Sequence, residues 1–294
     1  MSNIEYLPGI KVGDKIDLND PKYADKKKEF PKPESYLPQL KIRLAALADR
    51  LNSEHGDFLT SDGQMQMSGS EADYDRVLMS EKVQDWAADE AQTPTEWLAR
   101  REKNPSNITE IATTLLFDKI LGENFIIVRA SIYDDYENGA DQLIIDKATG
   151  AVVCGLDDVI GHLSDDRDDK KPEKIKRKMA AGGAKIKYGA TVKAGKLVKQ
   201  ELSHIPLFYF SLSKEELNGL LRSLTAAAGD DEPSPAEKAV YVKLVSSLQE
   251  QSDHFMYDAR LHPRLQDNLR NFRPSLDRMS AYSHLEKDAY AEKL

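Results

Sequence analysis

Apolar residues keep a helical rhythm through the first 120 positions and then switch to short runs rich in β-branched side chains. Leu37, Leu40, Leu44, Leu47 and Leu51 recur every three or four residues and predict a helix over about 36–54. A second helix is expected from near Ser70, with Tyr74, Val77 and Leu78. A third carries Trp86 towards Trp97, with Pro94 as a break. The stretch NPSNITEIATTLLFDKILG is the clearest helix: Ile108, Ile111, Ala112, Leu115, Leu116 and Ile120 form one stripe. Asn107 stands where a cap is needed, Glu110 follows three residues later as in a capping box, and Gly122 closes the helix. FIIVRASIY, ADQLIID and AVVCGLDD then read as three consecutive strands, joined by the turns DDYENG and DKATGA.

Beyond Asp158 the pattern loosens. HLSDDRDDKKPEK is a polar loop, and a basic helix is expected over about 172–181 until Gly182-Gly183 stops it. AKIKYGATV and KLVKQEL predict a lysine-rich hairpin across Lys193-Ala194-Gly195. IPLFYFSLS follows as a buried strand and KEELNGLLRSL as a helix behind it. The loop TAAAGDDEPSPAEK marks a boundary, and 236–252 is an amphipathic helix. The tail from His254, interrupted by Pro263 and Pro274, is expected to pack loosely. The pattern divides the chain into an extended or disordered arm (1–35), a helical subdomain (36–104), an α/β core (105–224) and a helical C-terminal extension (225–294).

Composition narrows the function classes. No apolar run approaches eighteen residues, and the N-terminus lacks the basic and apolar regions of a signal peptide, so a cytoplasmic protein without a membrane span is expected. Cys154 is the only cysteine, which rules out an internal disulfide and a cysteine-based zinc site, and its place among valines marks it as a core residue. The six histidines show no metal-ligand spacing, and the acids at 165, 166, 168 and 169 lack the glycine and terminal glutamate of a calcium loop. The net charge of −9 hides an asymmetry: positions 170–199 hold eleven Lys or Arg against one acid. Such a segment can follow a DNA or RNA backbone, with Lys174, Lys176, Arg177, Lys178 and Lys193 as candidate contacts, or it can be a solvated surface.

The acids that could carry chemistry sit at the strand ends. If Asp146 pairs with Ala151, Asp141 faces Leu156 and shares a face with Asp158; a one-residue bulge at Gly150 would bring Asp157 round instead. Both remain candidates. Asp157 and Asp158 can equally end a strand and enter solvent, Glu110 can be a simple cap residue, and Asp134, Asp135 and Glu137 are expected to face solvent.

The order helix, strand, strand with Gly139-Ala140-Asp141, strand ending in Asp157-Asp158, helix, strand resembles the core of the PD-(D/E)XK nuclease superfamily over about 105–215. The resemblance implies an α/β fold with a central mixed sheet and a metal-dependent nuclease, or a non-catalytic binding module derived from one. It implies Mg²⁺ or Mn²⁺ on Asp141 and on Asp157 or Asp158, with Glu110 as the helix acid. The family lysine is missing: Val159 and Ile160 stand two residues after the two aspartates. Lys185 or Lys187 on the next strand, or Lys174 or Lys178 on the helix, are the candidate replacements.

Overall fold

A computed structural model describes residues 32–160, 170–226 and 232–284, all within one compact unit. The expected loop at 161–169, with its acidic run, lies outside the described residues, as does most of the expected N-terminal arm. Pro33–Ser35 form a single 3-10 turn that leads into α1 (Leu37–His55), whose buried face carries the five predicted leucines. α2 (Ala72–Asp89) and α3 (Pro94–Glu102) follow. Trp86 belongs to α2, and Pro94 opens α3 instead of breaking it. At the first position of a helix its missing N–H costs nothing, and Thr93 with Glu96 builds a capping box before it.

α4 (Pro105–Leu121) begins two residues before the predicted cap. Asn104 caps it through the Ser106 amide, so Glu110 lies inside the helix and is not a cap residue. Nearly every position from Ile108 to Phe117 is buried, because the helix is covered on more than one side. Four strands form a mixed sheet in the order β1 (Phe125–Arg129), β2 (Gln142–Asp146), β3 (Val152–Ile160), β6 (Leu207–Leu212). β1, β2 and β3 are antiparallel neighbours, and β6 runs parallel to β3. That parallel step needs a long connection. It is made by α5 (Lys170–Ala180) and a separate hairpin, β4 (Ala184–Lys193) and β5 (Lys196–Ile205), which turns where expected, with Ala194 and Gly195 at positive φ.

Helices cover one face of β2. Gln142 donates to the Glu110 carbonyl (2.9 Å) and to Thr113 on α4, and Asp146 accepts from Ser275 (2.9 Å) and Arg278 on the last helix. Both sheet edges are closed. Met65 and Gly63 exchange backbone hydrogen bonds with Arg129 on β1. The Gln251 amide on α7 (Pro235–Met256) pairs with both the N–H and the carbonyl of Tyr209 on β6, standing in for a further strand. α6 (Lys214–Thr225) and α7 start from Ser213 and Ser234 capping boxes.

The described part of the C-terminal tail does not pack loosely. It forms α8 (Pro263–His284), whose Leu265, Leu269, Phe272, Leu276 and Met279 are fully buried in the common core, and 285–294 lie outside the described residues. Pro274 sits inside it on the exposed side, where water can satisfy the carbonyl its ring leaves unpaired. The proline masked a spacing of four, three, four and three residues that is itself helical.

Candidate functional site

A bulge shifts the β2–β3 register by one residue. Ile145 pairs with Val152, but Ile144 pairs with Cys154, so β3 carries one extra residue at Val153 and not at the turn. The pairing then continues through Leu143 with Gly155 and Gln142 with Leu156. The ladder ends there, and Asp141 lies just outside β2, against Leu156, the residue before Asp157. The Asp141 amide donates to the Leu156 carbonyl at 2.8 Å, which holds the two strand ends together. Asp141 and Asp157 are 8% and 3% exposed, so both residues are shielded from solvent. Asp158 pairs with Phe210 in the β3–β6 ladder.

The cation opposite them comes from α5. Lys178 feels the charges of Asp157 and Asp141, and burial together with the neighbouring Lys174 pulls its ammonium below the usual lysine range. Lys178 Nζ donates to the Asn138 carbonyl, at the start of the Gly139-Ala140-Asp141 turn. Gly139 is left-handed (φ +59°), and a Cβ there would lie 2.8 Å from Lys178 Nζ and 3.5 Å from Lys174 Nζ. The glycine of the GxD element is therefore required both for its backbone and for the approach of two lysines. Lys185 is exposed on β4. Lys187 is held at 2.7 Å by both Glu71, just before α2, and Asp75 within it. Lys174, Lys176, Arg177 and Lys193 are exposed, Lys176 beside Glu173 at 3.1 Å.

Glu110, the expected helix acid, belongs to a second charged group whose partners the sequence does not announce. Glu110 Oε2 accepts from Arg129 Nη2 at 2.8 Å, both residues are nearly sealed from solvent, and Asn107 Oδ1 takes a second bond from the same nitrogen at 2.7 Å. Asp135, in a π-helical turn at Asp134–Asn138, meets Arg101 Nη2 at 3.3 Å. Burial, and then the charge of Glu110, push the Asp135 carboxyl up to about 6, against the pull of Arg101 and Arg129; Asp157 adds to the rise. Of the three acids expected in solvent, only Glu137 is exposed, paired with Lys82. Asp134 is fully buried and accepts from Ser131, Asn138 and the backbone amides of Lys187 and Tyr188, a structural role that ties the turn to β4. The one visible signal for this group was Arg129 itself, a charge ending a run of four apolar strand residues that had to find a partner.

No family model, curated protein or solved structure matches the chain. The chemistry of the site rests on its residues alone. Among the described residues, no group of three or more His, Cys, Asp or Glu side chains is arranged to hold a metal ion. A Mg²⁺ ion does not require one, since it is commonly bound by one or two carboxylates with the rest of its shell supplied by waters and substrate oxygens. The Asp141–Asp157 pair has that donor chemistry. Cys154 is sealed in the core, where burial raises its thiol far above the reactive range.

Proposed function

We propose that this is a nuclease-like protein of the PD-(D/E)XK type that hydrolyses phosphodiester bonds in DNA or RNA, with Mg²⁺ or Mn²⁺ held by Asp141 and Asp157. The observation that carries the reading is that Asp141, tied by its amide to the Leu156 carbonyl, and Asp157, next along β3, are both buried and both act on Lys178 of α5. A helix–strand–strand–strand–helix–strand order, with the last strand parallel to the third, supports it as well. A bound divalent ion supplies Lewis acidity and activates water for attack. Lys178 takes the place of the lysine missing at Val159 and Ile160. Its ammonium offsets the charge of the paired carboxylates and of a phosphate brought against them, and its depressed affinity for protons suits it to proton transfer. Exposed Lys174, Lys176, Arg177 and Lys193 supply contacts to the flanking backbone.

The test is cleavage of labelled single- and double-stranded DNA and RNA with Mg²⁺, Mn²⁺ or EDTA. Asp141→Asn and Asp157→Asn are expected to lower the rate at least 100-fold and Lys178→Met at least 10-fold, whereas Lys185→Ala leaves it within threefold. A folded wild type that cuts none of these substrates with either metal sinks the hydrolase reading. A second reading, a non-catalytic nucleic-acid-binding module, is favoured by the absence of a third convergent ligand among the described residues and by the engagement of Glu110 with Arg129. Salt-dependent binding without metal-dependent cutting would select it.

A further inference from the structure

A cavity of about 220 Å³ is lined by Gln64, Leu98, Arg101, Asn107, Arg129 and Tyr136 among others, and by Asp135, which links it to the aspartates because its carboxyl is close enough to Asp157 to feel its charge. Its electrostatics argue against an anion. Each cation on its wall is already paired, Lys41 with Glu102, Arg101 with Asp135 and Arg129 with Glu110, and Asp62 remains as an extra acid. Its size argues against a whole nucleotide, being below the roughly 300 Å³ at which pockets for drug-sized ligands begin.

What the wall offers instead suits a neutral, flat, hydrogen-bonding ring. The Arg101 guanidinium lies 4.4 Å from the centre of the Tyr136 ring, and Tyr136 continues into a stack with Trp86 (4.6 Å) and Trp97 (5.5 Å from Trp86). Guanidinium and aromatic planes are the surfaces on which unstacked bases settle. Gln64 brings an amide, both donor and acceptor, that makes no hydrogen bond within the described residues, while its backbone is fixed against Arg129. Apolar Leu98, Ile111 and Ile132 complete the wall.

We propose that this cavity is a nucleobase pocket, which receives one base turned out of a single strand beside the bond at Asp141 and Asp157. The assignment rests on the nuclease reading for its context but not for its test. Trp86 and Trp97 are the only tryptophans in the chain, and both belong to the stack that ends at the cavity, so intrinsic fluorescence reports on this site. The full chain in EDTA would be titrated with each of the common nucleosides, with ribose 5-phosphate, and with a single-stranded tetranucleotide.

The expected result is a saturable fluorescence change with at least one nucleoside and with the tetranucleotide, and none with ribose 5-phosphate. Gln64→Leu should weaken the nucleoside response at least fivefold, Leu98→Phe should weaken it by narrowing the mouth, and Asp141→Asn should leave it within twofold. No saturable response to any nucleoside up to about 10 mM, or a response that Gln64→Leu and Leu98→Phe both leave unchanged, overturns the pocket. The two readings separate cleanly: cleavage without nucleoside binding discards the pocket and keeps the nuclease, and nucleoside binding without cleavage does the reverse.

Discussion

Asp135 shows how a single side chain can carry a pH signature. Its carboxyl titrates near 6 in the fold and at an ordinary 3.8 when unfolded, so between those values the folded state keeps a proton that the unfolded state has lost. Stability contributed by this proton is present at low pH and falls as pH rises through about 4 to 6, by an amount on the order of 3 kcal/mol for a shift of roughly two units. Asp135→Asn is expected to remove that slope and raise the melting temperature at neutral pH, as thermal denaturation followed by circular dichroism across pH 4–8 would check. Arg129 has the opposite character. Arg129→Met strands Glu110 as an unpaired buried charge, and a loss of about 3–5 kcal/mol in urea denaturation is expected. The double variant with Glu110→Leu should recover much of it, which a purely steric role for Arg129 would not allow. The pairings were not legible in the sequence: Glu110 read both as a cap residue and as the helix acid, without its partner, and Asp135 looked like a turn residue. Their partners come from other elements, Arg129 from β1 and Arg101 from α3.

At the scale of elements, the helix before the sheet, the three strands, the lysine-rich hairpin and the last strand were all readable, since each rests on a local period or turn signal. The register was not. The sequence offered two aspartates and a bulge at Gly150; the structure puts the extra residue at Val153, buried in mid-strand, where no turn chemistry announces it. Gly150 is occupied otherwise, with the Val192 amide donating to its carbonyl at 2.7 Å and no room for a Cβ beside the Val192 carbonyl. Deleting Val153 should therefore make the β2–β3 ladder regular while leaving Gln142 opposite Leu156 and Asp141 against it. The expected outcome is a folded protein, destabilised by about 1–3 kcal/mol for the lost buried valine, that cuts within tenfold of wild type in the cleavage assay.

One large core takes in α1, α4 and α8, while Val83, Ala87 and Trp97 of α2 and α3 form a small separate cluster. The five side chains that α8 buries represent roughly 1.5–3 kcal/mol each, a total comparable to the entire stability of an ordinary domain. Truncation after Met256 is expected to abolish cooperative unfolding and leave an expanded state, which near-ultraviolet circular dichroism and hydrogen exchange would reveal. The helix was hidden in the sequence by Pro263 and Pro274, although the first lies at its start and the second on its wet side.

The anchoring of Asp146 by Ser275 also has a consequence in time. The two residues are 129 positions apart, and a ribosome adding about 5–20 residues per second takes roughly 6 to 26 seconds to travel between them. For that interval the emerging sheet carries a buried-type carboxylate and a greasy face with no lid. The nascent chain must therefore be sheltered, or kept from collapsing too early, until its final helix arrives.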